Sequence, residues 1–314
     1  MVKHHEHIQS ANFPLFLTLL LVVIGVSCTI FILNTRFAST RNPHPTATFG
    51  VLFLLNTPTP TATPTPSPLP TPSPTVTPTP TPRPLTFSEM NALYGPCVYL
   101  PTLFWHHVQS MDKAEQLGHA GLTVDTALFR SQMQFLKDRG YIPVRPEQLI
   151  AFFDQGTPMP AKGVLLTFDD GYDDFAQDAA PILREFGFTA TAFIPTGLLN
   201  NPGYMSWDTL SALDSQGIYL ANHTWSHQNV NASKSTDERE IGTADTQLSQ
   251  HGYNKAKVFA YPYGFPSTFG EQVLSEKGYT IAFTTYPGST QCKKQRLTLP
   301  RTRIGNTSLS AYGL

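Results

Sequence analysis

The chain has 314 residues, 14% of them charged, and a formal net charge of −1; it lacks the basic excess of a nucleic-acid binder. Three cysteines, none in paired C-x-x-C spacing, exclude a disulfide-built miniprotein and a structural zinc knuckle. The 28 prolines are about twice the usual share, and most of the excess precedes residue 85, where no packed core can form.

Taken in chain order, residues 1–12 are a short polar tail. Phe13 to Leu33 carries no charge and is almost wholly apolar. It is long enough to cross a bilayer as a helix, which needs about 20 residues. The expectation is a transmembrane helix or uncleaved signal anchor. A cleaved signal peptide is the rival, with a shorter apolar part of about 7–15 residues. Lys3 lies on one side of the span, Arg36 and Arg41 on the other. The positive-inside rule alone would put the latter two in the cytoplasm, but the tract that follows argues the reverse.

Residues 34–84 form a Pro/Thr-rich linker. From Asn56 to Pro84 it is an almost unbroken Thr-Pro/Ser-Pro repeat. Proline fixes φ and removes a donor, so polyproline II is expected, at about 3.1 Å per residue and a reach of up to about 90 Å. Its hydroxyls are candidate O-glycosylation sites. Such a stalk implies a single-pass protein of the cell membrane with its folded domain outside, or a secreted one if the N-terminal segment is cleaved. The short apolar stretch Phe49 to Leu55 is expected at the membrane surface.

From 85 to 314 the pattern is that of a globular domain. Cys97 to Phe104 reads as a strand running into Trp105-His106-His107. Helical spacing marks Thr126 to Arg139, with Leu128, Phe129, Met133 and Leu136 on one face. Gly163 to Phe168 is a continuous apolar run, as in a strand buried on both faces. Phe175 to Phe186 reads as a helix ended by Gly187. Further strands are expected at Thr189–Pro195, Ile218–Ala221, Val258–Tyr261 and Thr280–Thr284, with helices at Trp207–Gln216, Thr236–His251 and Phe269–Lys277. Strands alternating with helices imply an α/β fold with a parallel sheet, and six or seven such units suggest a barrel. Chemistry then belongs at the C-terminal strand ends.

Four strand ends carry unusual residues: His106-His107, Asp169-Asp170-Gly171, His223-Thr224-Trp225-Ser226-His227 and Pro262-Tyr263-Gly264. Adjacent carboxylates repel, and a nearby cation relieves this. Asp170 as a metal ligand leaves Asp169 as a base. His223 and His227 are four apart, so a single turn presents both on one side. Two His and one carboxylate leave open positions on Zn²⁺, as catalytic sites do, and such an ion lowers the pKa of a bound water toward about 7. Co²⁺, Ni²⁺ and Fe²⁺ are alternatives. Asp173 and Asp174 read as helix N-caps without a role.

Thr167-Phe168-Asp169-Asp170-Gly171, His223-Thr224-Trp225-Ser226-His227 and Tyr261-Pro262-Tyr263-Gly264 together resemble the NodB-homology polysaccharide deacetylases, carbohydrate esterase family 4. The resemblance runs from about Pro96 to Leu309. It implies a distorted (β/α) barrel of about seven strands that removes acetyl groups from N-acetylated sugars with a divalent metal. Asp170, His223 and His227 match the family's ligands, Asp169 its base, and Tyr263 the residue whose backbone N–H holds the oxyanion. Two departures stand out. The arginine many members carry two residues before the third-motif proline is Ala260 here. The C-terminal Leu-x-His of the general acid is replaced by Leu299-Pro300-Arg301-Thr302-Arg303.

With Leu103-Phe104-Trp105-His106-His107, these departures look like the poly-N-acetylglucosamine deacetylase branch, and His106 or His107 becomes the candidate proton donor. The implied substrate is an extracellular N-acetylglucosamine polysaccharide. Peptidoglycan or another acylated sugar, and a non-catalytic sugar-binding module, are the alternatives. Cys97 and Cys292 either pair in an oxidising exterior or stay as free buried thiols.

Overall fold

The computed structural model describes residues 83–314. Its strands are β1 (Cys97–Tyr99), β2 (Thr102–Trp105), β3 (His107–Val108), β4 (Thr123–Val124), β5 (Ile142–Pro143), β6 (Gly163–Phe168), β7 (Thr191–Ile194), β8 (Tyr219–Asn222), β9 (Val258–Ala260), β10 (Ile281–Phe283), β11 (Thr290–Cys292) and β12 (Thr302–Arg303). The main sheet runs β10-β9-β8-β7-β6-β2-β12 with parallel neighbours, and β5 pairs with the start of β6. The central strand β6 is buried along its whole length, as its uninterrupted apolar run requires.

The sheet curls into a half-barrel, and the segment Leu299–Ile304, which contains β12, bonds to both β10 and β2. The Leu299 N–H donates to Ala282 O and the Thr284 N–H to Leu299 O on the β10 side. Thr302 pairs with Leu103, and the Ile304 N–H donates to Phe104 O, on the β2 side. This is the architecture expected of a distorted (β/α) barrel.

Strand alternation sorts the side chains into two layers. Leu165, Phe193, Tyr219, Ala221, Val258, Ala260, Ile281 and Phe283 share the inner cluster with Leu299. Leu103, Trp105, Val164, Leu166, Phe168, Ala192, Ile194 and Leu220 face outward. They pack against apolar faces of the helices Thr126–Asp138, Ala180–Phe186 and Trp207–Ser215. Those helices begin and end where local chemistry dictates. Asp125 caps Ala127 and Ser206 caps Thr209 by accepting their N–H groups, and Gly187 takes the left-handed conformation that ends Ala180–Phe186.

The expected elements recur with small shifts and several substantive changes. Cys97 to Phe104 is two strands, interrupted around Pro101, whose missing N–H cannot continue a ladder. Phe175 to Phe186 starts as a π-turn over Phe175–Ala179 before becoming α-helical. Helix Pro146–Gln155, whose Pro sits in its first turn, and helix Phe87–Tyr94 were not anticipated. Asp173 and Asp174 do not cap: the turn that begins after Asp174 has no side-chain cap bond. The span expected over 13–33 lies outside the described residues, as does the stalk up to residue 82. Among the described residues no helix is long and apolar enough to cross a membrane.

Cys97 and Cys292 face each other in the antiparallel pair β1–β11 and form a disulfide. The bond closes a loop with a sequence separation of 195. Closing so long a loop removes much unfolded-state entropy, and losing such a bond costs about 2–5 kcal/mol. The Cys97→Ser/Cys292→Ser variant should therefore melt several degrees lower by circular dichroism. An unchanged melting temperature would mean that the unfolded chain gains nothing from the cross-link.

Candidate active site

β6 delivers Asp169 and Asp170 to the C-terminal rim. Residues 165, 167 and 169 share a parity, so the Asp169 carboxylate continues the inner row. Asp170 follows with φ 72° and Gly171 with φ 69°, a reversal that turns the second carboxylate toward the next strands. At Gly171 a side chain would be both strained and crowded against Pro195. The parity of Tyr219 and Ala221 places His223 on the inner side as β8 ends. His227 comes from the following loop.

That loop is not the helical turn expected from the His-x3-His spacing. Thr224 and His227 both have positive φ, 69° and 58°, and side chains brace the path. Asn222 Oδ1 accepts the Thr224 N–H at 2.7 Å, and Glu240 accepts the Ser226 N–H at 2.9 Å. Tyr263 sits at φ 61° with its ring 4.9 Å from that of His227. Four of the seven non-glycine residues with positive φ among the described residues therefore lie at this rim. Conformations of this kind cost of order 1–3 kcal/mol each and concentrate at functional sites.

Asp170, His223 and His227 each bring one donor atom into a group whose members lie within 4.8 Å of one another. Asp170 Oδ1 is 3.2 Å from His223 Nε2 and 3.0 Å from His227 Nε2. His223 Nδ1 lies 2.8 Å from Ala260 O. A carbonyl only accepts, so Nδ1 carries a hydrogen and Nε2 is the ring atom turned toward the Asp170 carboxylate, free to act as a ligand. One carboxylate oxygen and two imidazole nitrogens gathered in a buried pocket are the donor set of a divalent cation. Donors at about 2.0–2.2 Å from a tetrahedral ion stand about 3.3–3.5 Å apart, so the three residues fit a divalent metal, with the Ala260 carbonyl orienting one imidazole from behind.

Asp169 is held by a residue that motif reading missed. Arg301 is fully buried and grips the carboxylate with both terminal nitrogens, Nη1 to Oδ1 at 2.8 Å and Nη2 to Oδ2 at 2.7 Å. Its Nε donates to Thr284 O at 2.9 Å, and its plane lies 4.4 Å from the Phe104 ring. This two-pronged geometry is specific to arginine. Burial alone would push the Asp169 carboxyl up; the Arg301 charge and hydrogen bonds, with smaller help from His223 and His106, overcome it and hold the group below the usual carboxylate range. Ala260 leaves the third-motif arginine position empty, and Arg301, reaching Asp169 from the segment that bonds to both β10 and β2, supplies the cation instead.

The two candidate proton donors part company. Thr102, Phe104 and His106 share one parity, Leu103, Trp105 and His107 the other. His106 faces the site, where burial lowers its pKa while the charges of Asp169 and Asp170 push it back up; the net direction is down. His107 is buried on the outward side, its Nδ1 paired with Asp174. Alternation along β2, with Leu103 and Trp105 plainly core residues, was the signal that could have separated the two.

Residues 156–282 match the profile of the family described as Polysaccharide deacetylase. The Poly-beta-1,6-N-acetyl-D-glucosamine N-deacetylase of Escherichia coli K12 is 27% identical over 247 residues, covering 64% of this chain and 36% of that protein. A Bacillus subtilis protein assigned to the polysaccharide deacetylases, YxkH, is 26% identical over 216 residues, covering 68% of this chain and 75% of the other. Among solved structures, the Streptococcus pyogenes deacetylase PplD in complex with acetate superposes with a TM-score of 0.63 at 28% identity, covering 68% of this chain and 96% of its own. Over residues 156–282 the chain thus matches the polysaccharide deacetylase family, and the relatives and the solved structure it resembles carry deacetylase names.

Proposed function

We propose that the chain is a metal-dependent, extracellular N-deacetylase of an N-acetylglucosamine polysaccharide, tethered through its N-terminal segment and Pro/Thr linker (34–84). The convergence of three ligand atoms from Asp170, His223 and His227 beside an arginine-held Asp169 carries this reading. A divalent cation bound there supplies Lewis acidity, lowering the pKa of water and polarising an acetamide carbonyl. Zn²⁺ suits the donor set first; Co²⁺, Ni²⁺ and Fe²⁺ remain chemically compatible.

The protein's own groups divide the remaining work. Asp169, kept ionised by Arg301, takes a proton from the attacking water. The Tyr263 backbone N–H donates to the oxygen that gains charge in the tetrahedral intermediate. His106 gives a proton to the sugar nitrogen as the C–N bond breaks, so that water and amide become acetate and amine. His107, turned outward, takes no part in proton transfer.

Exposed aromatics favour a glycan substrate. Trp225, Tyr263, Phe265 and Tyr286 are 38%, 60%, 52% and 48% exposed and follow β8, β9 and β10 in the chain. Aromatic rings offer flat apolar faces to the C–H faces of sugar rings. The relative named for poly-β-1,6-N-acetylglucosamine points to that polymer class. Acetate release from N-acetylglucosamine oligomers should stop with a chelator and return on adding Zn²⁺ or Co²⁺. Undiminished release in the chelator contradicts the mechanism.

A further inference from the structure

Asp174 is a buried carboxylate that the deacetylation scheme leaves unused. It is 2% exposed, and its two oxygens go to the same short stretch of chain. Oδ1 accepts the Val108 N–H at 3.0 Å, and Oδ2 pairs with His107 Nδ1. The His107 ring stacks on Tyr172, at 3.8 Å between centroids, and also packs against His119, at 4.4 Å. His106 is thus gripped from both sides. Before it, the Trp105 carbonyl accepts the Asp169 N–H at 3.0 Å; after it, residues 107 and 108 are fastened to Asp174. Both anchors belong to the one stretch, 169–174, that also presents Asp169 and Asp170.

A simple stabilising role fits poorly. His107 Nε2 and His119 Nδ1 are buried without a hydrogen-bond partner, and an unsatisfied buried polar group costs about 1–3 kcal/mol. The only ion-pair partner of Asp174 among the described residues is His107. Apolar side chains would fill this volume at lower cost. What the polar arrangement adds is direction, because a carboxylate fixes both an imidazole and a backbone N–H within narrow angles.

Resting on the reading of His106 as proton donor, we infer that Asp174, acting through His107 and the Val108 N–H, is a positioning residue that sets the His106 imidazole against the departing sugar nitrogen. It touches neither substrate nor metal. Its contribution is confined to the step in which a poor leaving group must be protonated.

The test compares two substrates in the full chain loaded with Zn²⁺: N-acetylglucosamine oligomers, whose amine must be protonated to leave, and 4-nitrophenyl acetate, whose phenolate leaves unaided. His106→Asn should lose about 10²–10⁴-fold in kcat on the oligomer and little on the ester. Asp174→Asn should lose about 10–100-fold in kcat on the oligomer, with KM, bound zinc and ester turnover within about twofold of the parent. The double variant should lose no more than His106→Asn alone, since both act on one event. His107→Gln keeps the Val108 bond and a donor for Asp174, so it should fall less than Asp174→Asn and serves if that variant folds poorly. Equal losses on both substrates, additive losses in the double variant, or no loss in either Asp174→Asn or His107→Gln would overturn the positioning role. A parent inert towards both substrates would instead overturn the deacetylase reading, and this one with it.

Discussion

Asp169→Asn lowers kcat on N-acetylglucosamine oligomers by about 10²–10⁴-fold, the span that positioned general bases contribute. Asn retains the shape and one acceptor for Arg301 but cannot take a proton from water at neutral pH. The three metal-site residues are untouched, so zinc content should match the parent's. That separates loss of the base from loss of the ion. The substitution also leaves the Arg301 charge without its counter-ion in a buried position, so the melting temperature must be recorded on the same samples. A variant that is folded, zinc-loaded and still turns over within tenfold of the parent would remove Asp169 from the reaction.

Arg301→Met carries the second large effect, and here stability and activity move together. Breaking one half of a buried ion pair costs about 3–5 kcal/mol, because the remaining charge has no partner. Methionine follows the arginine stem and fills part of the space over Phe104 and Phe193 where the guanidinium lies, so most of the loss is electrostatic rather than a cavity. The sign of the pH dependence follows. With Arg301 in place the Asp169 carboxyl is held down. A depressed carboxylate stabilises the fold above its unfolded-state pKa, and that stability is lost as pH falls through its lower folded-state value. Without Arg301, burial is opposed only by the smaller effects of His223 and His106, and the pKa rises. The acidic limb of the kcat/KM profile should therefore move to higher pH, and the denaturation midpoint at neutral pH should fall. Arg301→Lys restores charge but not the two-pronged grip, and should recover stability more than activity. An acidic limb unmoved in Arg301→Met would show that Asp169 does not set it.

Strand and helix placement was largely legible in the sequence because it is local. Gly163–Phe168 is a six-residue apolar run, and it is the strand observed. The parallel sheet followed from alternation of such runs with helical spacing. The proximity of Asp170 to His223 and His227 was accessible for the same reason: each lies at a strand end, and parallel strands bring their C-terminal ends to one rim.

What stayed hidden depended on distant pairing. Arg301 lies 132 positions from Asp169, and nothing local in Leu-Pro-Arg-Thr-Arg reveals that this segment bonds to both β10 and β2. Asp174 looked like a cap because its neighbours begin a helix. Its partner lies 67 positions back, and Asp174 is itself in helical conformation, inside the first turn rather than before it. The choice between His106 and His107 was different, since period-two alternation already assigns Leu103 and Trp105 to the core and His106 to the other face. The turn expected from His223 to His227 failed for a backbone reason: positive φ at Thr224 and His227 is not written in their side chains.

An anomalous-difference map from crystals of the domain, grown without chelator and recorded on either side of the zinc edge, addresses the metal centre most directly. One peak is expected at about 2.0–2.2 Å from Asp170 Oδ1 and the Nε2 atoms of His223 and His227. No peak there in crystals soaked with Zn²⁺ and Co²⁺, or a peak held by other residues, would contradict metal-assisted deacetylation at this rim.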